Sequence, residues 1–185
     1  MDELETRTGL PEALRYLVAT YPRDIWESHR NFDGLTRFWL ERHMMFRQLL
    51  ARIAAGTERF LDDGAEPAAF ARETARYTGF LLNQLHGHHQ IEDIQYFPTL
   101  SALEPGLTRG FEILDRDHHA LDGHIHGMAD ATNAVIQAIQ AGQGGRDAAG
   151  NLHDRLDGFT AFLERHLEDE EDLVVPVTLH HAPEL

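Results

Sequence analysis

The sequence contains no cysteine. Disulfide bonds, thiolate metal sites and thiol catalysis are therefore excluded, and any metal ion must be held by histidine and carboxylate side chains. Basic residues are also scarce: the sequence has 16 Lys and Arg but 31 Asp and Glu, which gives a formal net charge of -15. This balance argues against binding to nucleic acids or to anionic membrane surfaces.

Long apolar runs are absent as well. No stretch approaches the roughly 20 apolar residues that a membrane-spanning helix needs, and residues 1–10 are polar and acidic, without the apolar centre of a signal peptide. We therefore expect a cytoplasmic protein with no membrane partner. A length of 185 residues with 42% hydrophobic residues suits one domain with a substantial core.

Apolar residues recur at helical spacing along four long segments, and no strand-like alternation competes with them. The predicted helices cover approximately residues 31–61, 67–97, 107–140 and 147–173. Short connections between such helices predict an all-α fold, an up-down-up-down four-helix bundle. A short additional N-terminal helix is expected over Pro11 to Tyr21, with residues 1–10 loose.

The predicted domain organisation follows from these segments. Residues 1–30 hold the short helix and a connector that pack on the bundle, residues 31–176 form the bundle, and residues 177–185 form a C-terminal tail. Pro98 and Pro176 are expected to end the second and fourth helices, because proline interrupts helical hydrogen bonding.

One motif occurs twice, 78 residues apart. It consists of a His, a Glu four residues later and a Pro six residues after the Glu, as His88, Glu92 and Pro98 and again as His166, Glu170 and Pro176. Four residues are about one helical turn, so the imidazole and the carboxylate leave the same helix face. This combination suits a transition metal such as iron, manganese or zinc.

Each of the four apolar stripes also contains a single histidine. The predicted inward-facing set is His43, His88, Glu92, His118, His166 and Glu170. Four imidazoles and two carboxylates are too many for one tetrahedral ion. They match two metal ions bridged by carboxylates, with open positions for a small molecule.

Other polar residues receive structural interpretations. The remaining histidines are expected at the surface or behind the ligands: His29, His86, His89, His119, His124, His126, His153, His180 and His181. Asp122 is interpreted as an ion-pair or hydrogen-bond partner rather than a seventh ligand, and Arg47 is a candidate to pair with it. Apart from Glu170, the acidic run of residues 168–172 is interpreted as a solvated face.

Over roughly residues 33–176 these motifs resemble the hemerythrin-like, or HHE cation-binding, family of non-haem di-iron four-helix bundles. The resemblance is carried by His43, by His88 and Glu92 before Tyr96-Phe97-Pro98, by Asp117-His118, and by His166 and Glu170 before Pro176. It implies that Glu92 and Glu170 bridge two iron ions, with the four histidines as terminal ligands. Other divalent metals would also suit this set.

The chain is more similar to the four-His, two-Glu subclass, which includes iron-sulfur cluster repair proteins, than to the oxygen carriers. The carriers place a second histidine where this chain has Asp122, and the repair proteins usually carry a Cys-bearing domain that this chain lacks. The expected function is binding of O2, NO or iron itself, for sensing, storage or stress response. The alternative is a di-iron enzyme that reduces peroxide, O2 or NO and needs an electron donor, and a third is a structural bundle that responds to metal through a partner.

Overall fold

A computed structural model describes residue 4, residues 6–62 and residues 64–183, and every regular element in this part of the chain is helical. Its α-helices are α1 (Tyr16–Thr20), α2 (Gly34–Leu61), α3 (Pro67–Ile91), α4 (Phe97–Leu103), α5 (Thr108–Gln140) and α6 (Arg146–His181). The predicted all-α helical bundle is confirmed, with α2, α3, α5 and α6 as its long helices. Among the described helices, none combines the length and the apolarity needed to cross a bilayer.

Local sequence explains where the long helices begin. Asp33 caps α2, because its Oδ1 accepts a hydrogen bond of 2.7 Å from the backbone N–H of Thr36. Glu66 precedes Pro67, and its carboxylate accepts hydrogen bonds from the first two free backbone N–H groups of α3, those of Ala68 and Ala69. Between α5 and α6, the three glycines at 142, 144 and 145 have positive φ angles of 72 to 81°, which only glycine adopts readily.

The two prolines do not end helices as predicted. Pro98 lies in the first turn of α4, which follows α3 through a π-helical segment, Glu92–Tyr96. An N–H in a first turn has no partner within its helix, so proline is tolerated there. Pro176 lies inside α6, which continues to His181. Val175 and Val177 on either side of it are fully buried, so packing holds the helix through the proline.

The N-terminal region is less regular and more ordered than predicted. A 3-10 turn, Glu12–Leu14, precedes α1, and a second 3-10 helix covers Arg23–Ser28. Trp26 is buried in a hydrophobic core that also contains residues of α4, α5 and α6. The expectation that residues 1–10 are loose is wrong for the described residues, because Leu4, Arg7 and Leu10 are buried. The division into three ranges, 1–30, 31–176 and 177–185, stays a prediction.

The chain folds as two compact units. The first comprises Met1–Met44, His88–Ala120 and Phe162–Leu185, and the second comprises Met45–Gly87 and Leu121–Ala161. The core of the second unit consists of large apolar side chains, among them Phe46, Leu50, Leu81, Leu85, Met128, Leu152, Leu156 and Phe159. All six predicted metal ligands belong to the first unit.

Candidate metal centre

The six predicted ligands are buried together in the first unit. They come from α2 (His43), α3 (His88), the π-helical segment (Glu92), α5 (His118) and α6 (His166 and Glu170), and each side chain is at least nine-tenths buried. Wider π-helical turns frequently occur at functional sites. Here the π-helical turn begins at one of the two candidate bridging carboxylates.

The imidazoles form two facing pairs. The Nε2 atoms of His43 and His88 lie 3.0 Å apart, and those of His118 and His166 lie 3.1 Å apart. Two sets of buried residues bring their potential ligand atoms within 4.8 Å of one another: His43, His88, Glu92 and Glu170 form one set, and His89, His118 and His166 form the other. The six predicted ligands are thus divided between two donor clusters.

The two glutamates span the imidazole pairs. Glu92 places Oε1 at 2.9 Å from His88 Nε2 and Oε2 at 3.7 Å from His118 Nε2. Glu170 Oε2 lies 3.5 Å from His43 Nε2 and 3.4 Å from His166 Nε2. Each carboxylate therefore contacts one imidazole of each pair, which is the placement that a bridging ligand requires.

Carboxylates also fix the outer nitrogens of three imidazoles. The Nδ1 atom lies 3.1 Å from Glu171 Oε1 in His43, 2.7 Å from Asp93 Oδ1 in His118 and 3.3 Å from Asp117 Oδ2 in His166. An ionised carboxylate only accepts hydrogen bonds, so Nδ1 carries the proton and donates it. This arrangement leaves Nε2 unprotonated, with a lone pair available to a metal, and it orients the ring, as in many metal-binding histidines.

Burial favours the neutral form of two of these imidazoles, His43 and His166. It lowers the pKa of His43 to about 4, against the opposing effect of Glu171, and it also lowers the pKa of His166. Because Nδ1 of His118 and Nδ1 of His166 both donate to carboxylates, the Nε2 atoms of the two rings face each other with their lone pairs at 3.1 Å. Facing lone pairs repel, and a cation between them would turn that repulsion into two bonds.

The two glutamates have opposite electrostatic situations. Burial and the negative charge of Glu92 raise the pKa of Glu170 well above its ordinary value. Burial alone would raise the pKa of Glu92 too, but His88 and His118 outweigh it and hold that pKa well below the ordinary value. Within the described part of the chain, neither oxygen of Glu170 has a hydrogen-bond partner. A carboxyl group buried in this way needs either a proton or a cation.

Behind the imidazoles, arginines pair with buried carboxylates. Arg7 contacts both Asp117 and Asp169, with Nε at 2.7 Å from Asp169 Oδ2, and Arg23 Nη1 lies 2.6 Å from Glu171 Oε2. Asp169 and Glu171 are 2% and 4% exposed. The interpretation of the acidic run as a solvated face is therefore wrong for these two residues. Asp122, by contrast, is exposed.

Sequence reasoning missed two residues of this region. His89 is 4% exposed, and its ring stacks on that of His118 at a centroid distance of 4.0 Å. Of the two predicted positions for it, at the surface or behind the ligands, the structure shows the second, and the signal that points to it is its position directly after His88. Trp39 donates from Nε1 to Glu92 Oε1 at 2.6 Å, and its ring centroid lies 4.1 Å from that of His43.

A cavity of about 240 Å³ in the first unit reaches Trp39. Its lining consists of Arg30, Asn31, Asp33, Leu35, Thr36, Trp39, Tyr96, Val174, Thr178, Ala182 and Pro183. Because Trp39 also donates to Glu92, one side chain forms part of the cavity wall and contacts the donor cluster.

Comparison with protein families identifies the type of domain. The hemerythrin HHE cation-binding domain matches residues 34–178, a range that contains both imidazole pairs and both glutamates. No curated protein and no solved structure matches the chain. The matched range agrees with the resemblance seen in the sequence over residues 33–176, and the two clusters fit a di-iron member. The chain belongs to the hemerythrin HHE cation-binding domain family.

Proposed function

We propose that the chain holds two metal ions, iron in the first instance, and binds a small diatomic ligand, O2 or NO, at that centre. The observation that carries this proposal is the pairing of the imidazoles, since two pairs of Nε2 atoms at 3.0 and 3.1 Å are joined by two carboxylates that each contact both pairs. The residues that would hold the metals are His43, His88, Glu92, His118, His166 and Glu170.

The donor set favours iron or another metal that binds both imidazole nitrogen and carboxylate oxygen. Imidazole nitrogen with carboxylate oxygen suits iron, manganese and zinc, whereas copper(I) and iron-sulfur clusters prefer the thiolates that this chain lacks. When bound, iron would supply a centre able to share electrons reversibly with O2 or NO. The protein would supply neutral, oriented imidazoles and exclude bulk water.

Burial restricts what can reach the centre. Every ligand side chain of the proposed set is at least nine-tenths buried, so large substrates have no direct access. The cavity beside Trp39 supports an approach from that side. Trp39 lines this cavity and donates from Nε1 to Glu92, so it connects the cavity wall to the proposed centre.

Spectroscopy of the reduced, iron-loaded protein tests this function. Exposure to O2 or to NO should change the optical spectrum as the ligand binds, and removal of the gas should restore the spectrum of the reduced protein. Sustained consumption of O2, NO or peroxide with an added electron donor would favour the enzyme alternative instead. Iron-loaded protein whose spectrum is unchanged by all three molecules would overturn the proposal.

A pair of alanine variants provides the control. Glu92→Ala should lose iron, because it removes a carboxylate that contacts both imidazole pairs. Glu112→Ala removes a carboxylate that is 58% exposed, next to Arg109, and should retain full iron content and the same gas response. Equal iron content in the two variants would contradict the assigned role of Glu92.

A further inference from the structure

His89 is a buried imidazole with no hydrogen-bond partner among the described residues. Its side chain lies on α3 beside His88 and is 4% exposed, yet neither Nδ1 nor Nε2 makes a hydrogen bond to any described residue. Buried nitrogen atoms rarely stay unsatisfied, because they have given up hydrogen bonds to water without replacement. Something beyond these protein contacts is therefore expected to meet this ring.

The surroundings of His89 indicate what that is. One of its nitrogens lies within 4.8 Å of ligand nitrogens of both His118 and His166. The outer nitrogens of those two histidines already donate to Asp93 and Asp117, so their inner nitrogens offer lone pairs. The His89 ring stacks on His118 and must turn out of that stack to aim its own lone pair at the same point, after which one metal ion would satisfy all three rings.

We propose that His89 is a seventh metal ligand, which completes a three-imidazole position with His118 and His166. This inference rests on the proposed function and deepens it. The other position then has only two imidazoles, His43 and His88, while Glu92 and Glu170 serve both. Consecutive residues on α3 thus serve different metals, because successive side chains point about 100° apart around a helix.

The proposal makes the two positions unequal. A divalent transition metal gains from each added imidazole donor, so the position with three should load before the position with two. Two-step loading is the expected behaviour of the wild-type protein. Removal of His89 should weaken metal binding in the earlier step and leave the other position as it was.

Anaerobic titration with cobalt(II) tests the assignment, because its visible spectrum reports the donors around each ion. The wild type should take up about two equivalents in two steps. His89→Ala should bind one of them at least about tenfold more weakly, as expected for loss of a ligand. His86→Ala, an exposed histidine of the same helix, is the matched control and should behave as the wild type. Free imidazole added to His89→Ala should restore the lost equivalent.

The outcomes separate this inference from the proposed function. Two equivalents in His89→Ala, with unchanged affinity and spectrum, would overturn the role of His89 and leave the di-metal centre standing. No metal bound by the folded wild type would overturn the proposed function itself. If His89→Ala fails to fold, His89→Gln replaces it. Nitrogen-15 spectra of the zinc-loaded wild type give an independent result, since an imidazole nitrogen of His89 must shift on loading if it is a ligand.

Discussion

Removal of Arg7 tests how the N-terminal segment supports the centre. The Arg7 guanidinium contacts Asp117 and Asp169, and the side chains of all three are at most 4% exposed. Arg7→Met keeps most of the aliphatic volume and removes the charge. Loss of one partner from a buried ion pair costs about 3–5 kcal/mol, because the remaining charge is left without compensation.

The two aspartates are not equally affected. Asp169 keeps Arg165 Nη2 at 2.6 Å and the backbone N–H of Leu10 at 3.1 Å. Asp117 keeps the Nδ1–H of His166 at 3.3 Å, the weaker arrangement. We therefore expect the lower end of the range, about 3 kcal/mol of unfolding free energy, with most of the loss at Asp117.

Urea denaturation of the metal-free protein at pH 7 measures this loss. The exposed Arg59 provides the control, and Arg59→Met should stay within about 0.5 kcal/mol of the wild type. Although burial opposes it, Arg7 lowers the folded pKa of Asp117 below its ordinary value of 3.8. The stabilisation is therefore fully present above pH 3.8 and is lost as the pH falls through the folded pKa. A loss under about 1 kcal/mol at pH 7, or one that persists undiminished in strong acid, would refute the reasoning.

Three further predictions concern residues of the first unit. Since the pKa of His43 is about 4 in the fold and 6.5 ordinarily, its contribution to metal-free stability is full above pH 6.5 and declines toward pH 4. Urea denaturation should show about 2 kcal/mol lost between pH 7 and pH 5, and His43→Gln should lack that part of the loss. Iron loading should quench the fluorescence of Trp39, whose ring lies 4.1 Å from that of His43, and Trp39→Phe should show less quenching. Gly110→Ala should lower the unfolding free energy by about 1–3 kcal/mol in thermal denaturation, because a Cβ would meet the buried Leu173 at 2.9 Å. Gly158→Ala, with open space around its Cα, should be neutral or stabilising.

The helices and the convergence of the six residues follow from periodicity in the sequence. A histidine on each of four apolar stripes is directed toward the interior of any bundle that buries those stripes. His88 and His166 also keep the same spacing to their glutamates, so both pairs reach the same level. These features are local, and local patterns are what a sequence shows directly.

The errors come from contacts between distant residues. Asp169 and Glu171 in the acidic run of α6 are buried, because Arg7 and Arg23 reach them from a segment without any recognisable motif. The prediction for His89 leaves surface and buried positions open, and only the fold shows that its ring lies against His118. Pro176 is predicted to end a helix, but packing carries the helix through it.

Iron stoichiometry tests the central claim most directly. Folded, metal-free wild-type protein is titrated anaerobically with iron(II), desalted and analysed for iron and protein together. Two facing imidazole pairs joined by Glu92 and Glu170 predict about two iron ions per chain, with both lost in the Glu92→Ala, Glu170→Ala double variant. Folded wild-type protein that retains no iron, or a double variant that retains both ions, would contradict the account.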